Sequence, residues 1–213
     1  MSTTDDAPAS APGPVAQAAT GIADPAPLGL AGFALTTFLL SVVNAHWADS
    51  SSGAAWLGYA FAYGGIAQLL AGMWEFRNRN VFGSTAFSSY GAFWIGLGLW
   101  YIWVAPKTTG VEASRDLGWI LLAFAIFNTY MLLISTQVNA AVFTVFLTLE
   151  ITEILLFIGN FTVKAGATST VVKIGGIVGV ITALAAWYTS AAGVMNGLKG
   201  RVVFPVGRPL FDL

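Results

Sequence analysis

Apolar residues run along this chain in six blocks, each long enough for a helix to cross a hydrocarbon core, and polar or charged residues collect between them. The blocks cover about residues 28–47, 54–74, 88–105, 117–137, 140–160 and 171–194. Asp49, then Glu75, Arg77 and Arg79, then Lys107, Glu112, Arg115 and Asp116, then Lys164 fall in the intervals. That partition is the one a bilayer enforces, because a charge at mid-membrane costs about 2.5–3.5 kcal/mol on insertion scales. The link between the fourth and fifth blocks is tight, around Val138 and Asn139, so those two are expected to be antiparallel neighbours. The pattern predicts an all-α integral membrane protein, a bundle of six transmembrane helices over residues 24–200. Residues 1–23 are rich in Ala, Pro, Ser and Thr, carry Asp5 and Asp6, and lack both Lys and Arg, which predicts a disordered tail. With no basic start and no apolar core, that tail does not read as a secretory signal, and residues 201–213 form a C-terminal tail.

Composition sharpens this picture. Hydrophobic residues make up 56% of the 213 positions and charged residues only 9%, so water is not the solvent the chain expects. Nine basic and ten acidic residues nearly cancel, which gives no reason to expect nucleic acid as a partner. The absence of cysteine and the single histidine, His46, argue against a disulfide or a protein-built metal centre, and nothing calls for a cofactor. Arg77, Arg79, Lys199, Arg201 and Arg208 fall on one side against Lys107, Arg115, Lys164 and Lys173 on the other, five to four. The positive-inside rule therefore leans towards both termini in the cytoplasm of a cell-membrane protein. Gly64, Gly65, Gly91, Gly96, Gly98 and the Gly175/Gly179 pair offer small surfaces for close helix packing. Trp47, Trp56, Trp74 and Trp119 lie near block ends, where they read as interfacial anchors.

Two stretches stand apart from generic membrane sequence. Asp24-Pro25-Ala26-Pro27-Leu28-Gly29-Leu30 opens the first block, with Asp24 as a natural N-cap ahead of prolines suited to a first turn. A helix start at an interface carries partial positive charge and free N–H groups, an attraction for an anion that needs no basic side chain. The second is Tyr63-Gly-Gly-Ile-Ala-Gln68, followed by Phe82-Gly-Ser-Thr-Ala-Phe-Ser-Ser-Tyr-Gly91, whose small polar residues suit a wet vestibule better than lipid. The spacing from Gly29 to Phe33 repeats from Gly83 to Phe87, as a weak internal repeat would.

These motifs resemble the acetate/succinate transporter family (GPR1/FUN34/YaaH, AceTr), whose signature Asn-Pro-Ala-Pro-Leu-Gly-Leu differs here only at Asp24. The likeness runs from about residue 24 to Phe204-Pro-Val-Gly207. It implies a channel-like carrier of acetate and other short carboxylates such as succinate, assembled as a ring-shaped homo-hexamer in the bilayer. It also implies a pore constriction at Phe33, Tyr90 and Leu149, the last placed by its spacing to Gly159-Asn160. A narrow apolar ring gates by dewetting, while one hydroxyl hands on a carboxylate oxygen. Leu30, Thr36, Gln68 and Ser89 are expected along the pore, with Asp24, Pro25, Ala26, Pro27, Leu28 and Gly29 as the entrance motif. An ionised Asp24 would repel an incoming anion, so it is read as a cap before a contact.

Glu150 and Glu153 are the only acidic residues inside an expected span, and their spacing puts them on one helix face. Both readings stand: a proton relay one turn from the constriction, or a structural pair satisfied at a seam. Asn44, Thr36, Thr37, Gln68 and Asn128 must each find partners away from lipid, and hydrogen bonds between helices are the plain expectation. His46 reads as a partly solvated structural residue at a helix end. No Ser/His/Asp set, metal cluster or phosphate loop points to an enzyme. A channel for small neutral solutes such as urea, amides or ammonia is the competing function.

Overall fold

The computed structural model describes residues 21–48, 54–165 and 169–211. The tail expected to be disordered, up to residue 20, and Asp49 lie outside the described residues. The described residues form helices joined by turns, with no strand among them. These are α1 (Ala26–Asn44), α2 (Ala55–Phe61), a π-helical stretch (Ala62–Ala67), α3 (Gln68–Arg77), α4 (Val81–Trp103), a 3₁₀ turn (Ala105–Lys107), α5 (Gly110–Ser135), α6 (Ala140–Thr162) and α7 (Thr170–Lys199). Four of them, α1, α5, α6 and α7, are long and apolar enough to cross a membrane. The rod running from α2 through the π stretch to α3, and α4 itself, are richer in Gly, Ser, Tyr and Trp, which lowers their hydropathy.

Local chemistry accounts for the helix ends. Asn80, Asn139 and Ser169 each accept the N–H three residues on, so α4, α6 and α7 start where a side-chain cap is available. The Asn80 cap explains why α4 begins at Val81 and not near residue 88, where its strongly apolar stretch starts. At α5, Thr109 and Glu112 form a reciprocal capping box. The start of α1 differs from expectation: Pro25 occupies the cap position with helical angles and no side-chain cap bond. Asp24 sits one residue earlier and accepts the Ala26 N–H at 3.0 Å, so it steadies the first turn without being the cap.

Burial is inverted relative to a water-soluble protein. The most deeply buried large side chains are Gln68, Glu75, Asn128 and Thr36, whereas Ile126, Leu133 and Leu184 are more than half exposed. Such a distribution fits a molecule whose outside faces hydrocarbon and whose polar groups must find each other inside. Trp56, expected at an interface, is instead 3% exposed and packs with Ala60, Trp94 and Leu97, because the α2 turn carries its ring inward against α4. Trp47, Trp74 and Trp119 are exposed.

Glycine sets the closest approaches. In α7, Gly175 lies against Leu155 and Leu156 of α6, while Gly179 meets Ser41 of α1 and Thr152 of α6. The seam to α1 is tightest at Gly176, where an added Cβ would stand 2.6 Å from the Asn44 carbonyl carbon and 2.8 Å from the Ser41 carbonyl oxygen. These are backbone atoms that cannot rotate away. Gly176→Ala is therefore expected to destabilise the folded protein by about 1–3 kcal/mol, measured as a lower unfolding temperature in detergent. Gly96 has open space around it and packs nothing within one chain.

Hydrogen bonds between helices fix the remaining seams. The Ser190 hydroxyl donates to the Pro27 carbonyl at 2.6 Å, and the Thr152 and Thr182 hydroxyls meet at 3.2 Å. Residues 201–211 lie across the turn between α5 and α6: Ala141 N–H donates to the Val206 carbonyl at 2.9 Å and Leu210 N–H to the Thr136 carbonyl at 2.7 Å. The Tyr188 hydroxyl donates to the Pro205 carbonyl at 2.7 Å.

Candidate functional site

The chain alternates direction, so the starts of α1, α4 and α6 and the end of α7 share one face of the bundle. There they surround a cavity of about 780 Å³. Its mouth carries Asp24, Arg79, Asn139 and Asn196, and its inner wall is made by Leu30, Phe82, Ala86 and Phe146. Those inner residues belong to, or pack on, a buried apolar cluster that contains Phe33, Tyr90 and Leu149. All three are at most 6% exposed, and the Phe33 and Tyr90 rings meet edge-on at 5.8 Å between centroids. Tyr90 also touches Phe93, Phe124 and Phe127. The cavity thus runs down from a polar mouth to a plug of aromatic and aliphatic side chains.

At the bottom of this plug lies a polar network. The Tyr90 hydroxyl donates to Asn128 Oδ1 at 2.9 Å, with a longer contact to Glu153 Oε1 at 3.4 Å. Asn128, fully buried in α5, donates from Nδ2 to the Phe146 carbonyl at 3.0 Å and to Glu150 Oε2 at 2.7 Å. Thr129 donates to Glu150 Oε1 at 2.8 Å. The two carboxyls therefore have different surroundings: Glu150 is half-buried and fully engaged, while Glu153 is buried with Oε2 lacking any hydrogen-bond partner among the described residues. No Lys or Arg takes part in these bonds.

The entrance motif divides by burial. Asp24, Ala26, Pro27 and Leu30 line the cavity, Pro25 and Gly29 are buried beneath it, and Leu28 points out with 47% exposure. Gly29 is where the Phe87 ring of α4 rests on α1, with a Cβ position only 2.6 Å from the ring. One expectation is overturned here: the start of α1 does not offer its first N–H groups to an anion. Pro25 and Pro27 have none, Asp24 takes that of Ala26, and the Pro25 carbonyl accepts those of Leu28 and Gly29. What remains at this end is the oriented backbone dipole and the wall it builds.

Thr36 and Gln68 lie outside the cavity wall, in the seam between α1 and the π stretch. Thr36 donates to the Gly32 carbonyl at 3.0 Å, and Gly32 itself faces the Tyr63 carbonyl. Gln68 is 1% exposed, with its Oε1 unpartnered among the described residues. Ser89 is half-buried on α4 beside Tyr90 and also lies off the cavity wall. The Tyr63-to-Gln68 motif coincides with the π-helical stretch, an irregularity that often accompanies function. Asn128 as the hub of the Tyr90 network was visible in sequence only as one polar residue among several in apolar spans. Thr129, at the end of that network, carried no signal of its own.

With this geometry in view, comparison with known proteins is informative. The chain is 36% identical to the succinate-acetate/proton symporter SatP of Escherichia coli, over 88% of this chain and 97% of that one. It is 41% identical to the ammonia transport outward protein 2 of Saccharomyces cerevisiae, over 96% of this chain and 72% of the yeast protein. Among solved structures, that of the bacterial acetate channel SatP matches with a TM-score of 0.77 and 36% identity, covering 87% of this chain and 99% of the other. The sequence model of the GPR1/FUN34/yaaH family matches residues 8–208. A helical bundle with its polar groups buried inside, a cavity closed by an aromatic plug and this agreement along nearly the whole length lead to one conclusion: the chain belongs to the GPR1/FUN34/YaaH family.

Proposed function

We propose that this multi-pass membrane protein is a transporter or channel-like facilitator of acetate, and of succinate, across the cell membrane. In this reading six helical rods span the bilayer: α1, the α2-to-α3 rod, α4, α5, α6 and α7. Both termini lie in the cytoplasm, and six copies form a ring with one pathway in each. The pathway enters at the cavity and passes the narrowing of Phe33, Tyr90 and Leu149.

The observation that carries this is a cavity of about 780 Å³ that ends on an apolar plug with a single hydroxyl and no basic side chain bonded to it. An unpaired carboxylate there would forfeit its hydration, at a cost of several kcal/mol. A carboxylic acid that has taken up a proton avoids most of that cost. The Tyr90 hydroxyl already donates its hydrogen bond to Asn128, so its oxygen remains able to accept a hydrogen bond from a neutral acid. Proton-coupled passage follows from that arrangement, with Glu153 as a proton-holding group beside the Tyr90 oxygen and Glu150 linked to it through Asn128.

Purified protein in sealed proteoliposomes is expected to take up labelled acetate, faster under an imposed inward proton gradient and in competition with other short carboxylates. No movement of any monocarboxylate under any gradient would sink the proposal. The name of the yeast relative keeps a neutral-solute channel in play. Inhibition of acetate uptake by ammonium or urea, without inhibition by propionate, would favour that alternative.

A further inference from the structure

The cavity is far larger than a two-carbon acid, and one of its wall residues has no task in the pathway described above. Among the described residues, Arg79 is the only basic one lining it. Among the described residues no carboxylate pairs with its guanidinium. Its backbone is held in the left-handed region, with φ of 61°, on a turn that is itself tightly bonded. Asn78 N–H donates to the Trp74 carbonyl at 2.9 Å, Arg79 N–H to the Phe76 carbonyl at 3.2 Å and Asn80 N–H to the Glu75 carbonyl at 3.0 Å. Behind the turn, the fully buried Glu75 carboxylate accepts from Asn78 Nδ2 at 3.2 Å. On its far side Asn80 caps α4. The turn therefore presents its cation from a fixed platform.

We propose that Arg79 forms a second-carboxylate subsite, which makes the vestibule selective for short dicarboxylates over monocarboxylates. This rests on the transport reading above. A planar guanidinium binds a carboxylate through two parallel N–H bonds, a geometry an ammonium cannot reproduce. A diacid docks one carboxylate on Arg79 at the mouth while its other end, carrying a proton, leads towards the plug formed by Phe82, Phe146 and the Phe33–Tyr90 pair. A monocarboxylate has only one group to offer and gains nothing from holding both ends. Asp24, the other charged wall residue, is turned to the start of α1, where its Oδ1 accepts the Ala26 N–H, and among the described residues it makes no ion pair with Arg79.

The test uses Arg79→Asn, since Asn tolerates left-handed backbone and keeps the turn, with Arg79→Lys as a charge-retaining partner. In proteoliposomes the ratio of succinate to acetate uptake is expected to fall about tenfold in Arg79→Asn, the loss of roughly one charge-assisted bidentate contact. Arg79→Lys is expected to keep more of that ratio than Arg79→Asn. Succinate is also expected to raise the unfolding temperature of the unaltered protein in detergent, and to lose that effect in Arg79→Asn. An unchanged ratio, or equal losses for both acids, would overturn the subsite and leave Arg79 a general attractor. The two readings fail separately: absence of acetate uptake in the unaltered protein strikes the transport proposal, whereas Arg79-dependent stabilisation by succinate is read without any transport.

Discussion

Replacing Tyr90 by Phe is expected to lower the rate of acetate uptake by about tenfold while leaving the folded assembly intact. The ring is unchanged, so the contacts with Phe33, Phe93, Phe124 and Phe127 survive and the plug keeps its shape. What disappears is the one polar atom of the proposed narrowing, and with it the oxygen proposed to accept a hydrogen bond from a passing acid. A tenfold loss corresponds to about 1.4 kcal/mol, within the range expected for one hydrogen bond in a dehydrated passage. The same change leaves Asn128 Oδ1 without its donor at 2.9 Å, so some loss of stability accompanies it. Tyr90→Ala goes further, because removing a buried aromatic ring opens a cavity and costs about 3–5 kcal/mol. It is expected to admit bulkier acids relative to acetate. Uptake kinetics in proteoliposomes, beside size-exclusion profiles of both variants, separate a transport effect from unfolding. Unaltered kinetics in Tyr90→Phe would remove the hydroxyl from the pathway.

The second large effect concerns Glu153. Uptake by the unaltered protein is expected to rise as external pH falls, since both the substrate and the proton-holding carboxyl need a proton. Glu153→Gln keeps the shape and an oxygen for the Tyr90 contact at 3.4 Å but can no longer take up or release a proton. The part of the pH dependence that exceeds the acid's own ionisation should then vanish. The fold should tolerate this change well, because Oε2 of Glu153 has no hydrogen-bond partner among the described residues. An amide there replaces a group that is costly to bury when charged. A pH profile identical to that of the unaltered protein would make Glu153 a structural residue. Glu150→Gln offers a contrast: its two oxygens are engaged by Asn128 and Thr129, and an amide must turn a donor towards one of them.

Particular residues show where the sequence was legible. The tight link at Val138 and Asn139 was readable, and there the structure makes Asn139 the cap of α6; the Gly175/Gly179 spacing marked a close helix seam, which the structure places on α7, against α6 at Gly175 and against both α1 and α6 at Gly179. Phe33 and Tyr90 fell inside recognisable motifs, and the structure brings them into contact. Trp56 was misplaced because proximity to a block end says nothing about which way a helix turns its ring. The free N–H groups expected at the start of α1 were already taken, since Asp24 reaches over Pro25 to Ala26. The π stretch was hidden too: Gly64 and Gly65 signal close packing, but nothing in the local sequence marked the widened helical turn, which lies against Gly32 and Thr36 of α1.

By itself the sequence determined that this chain lives in a bilayer and that it is helical. Those properties follow from transfer free energies and backbone geometry, which act residue by residue and leave their mark on local patterns. Only the tertiary structure decided that Asn128 joins Tyr90 to Glu150, that Glu153 has an oxygen with no partner among the described residues, and that Arg79 lines the mouth of the cavity. Such facts depend on the rotation and depth of each helix against its neighbours. These are set jointly by many weak packing contacts between residues distant in the chain, so no single stretch of sequence records them.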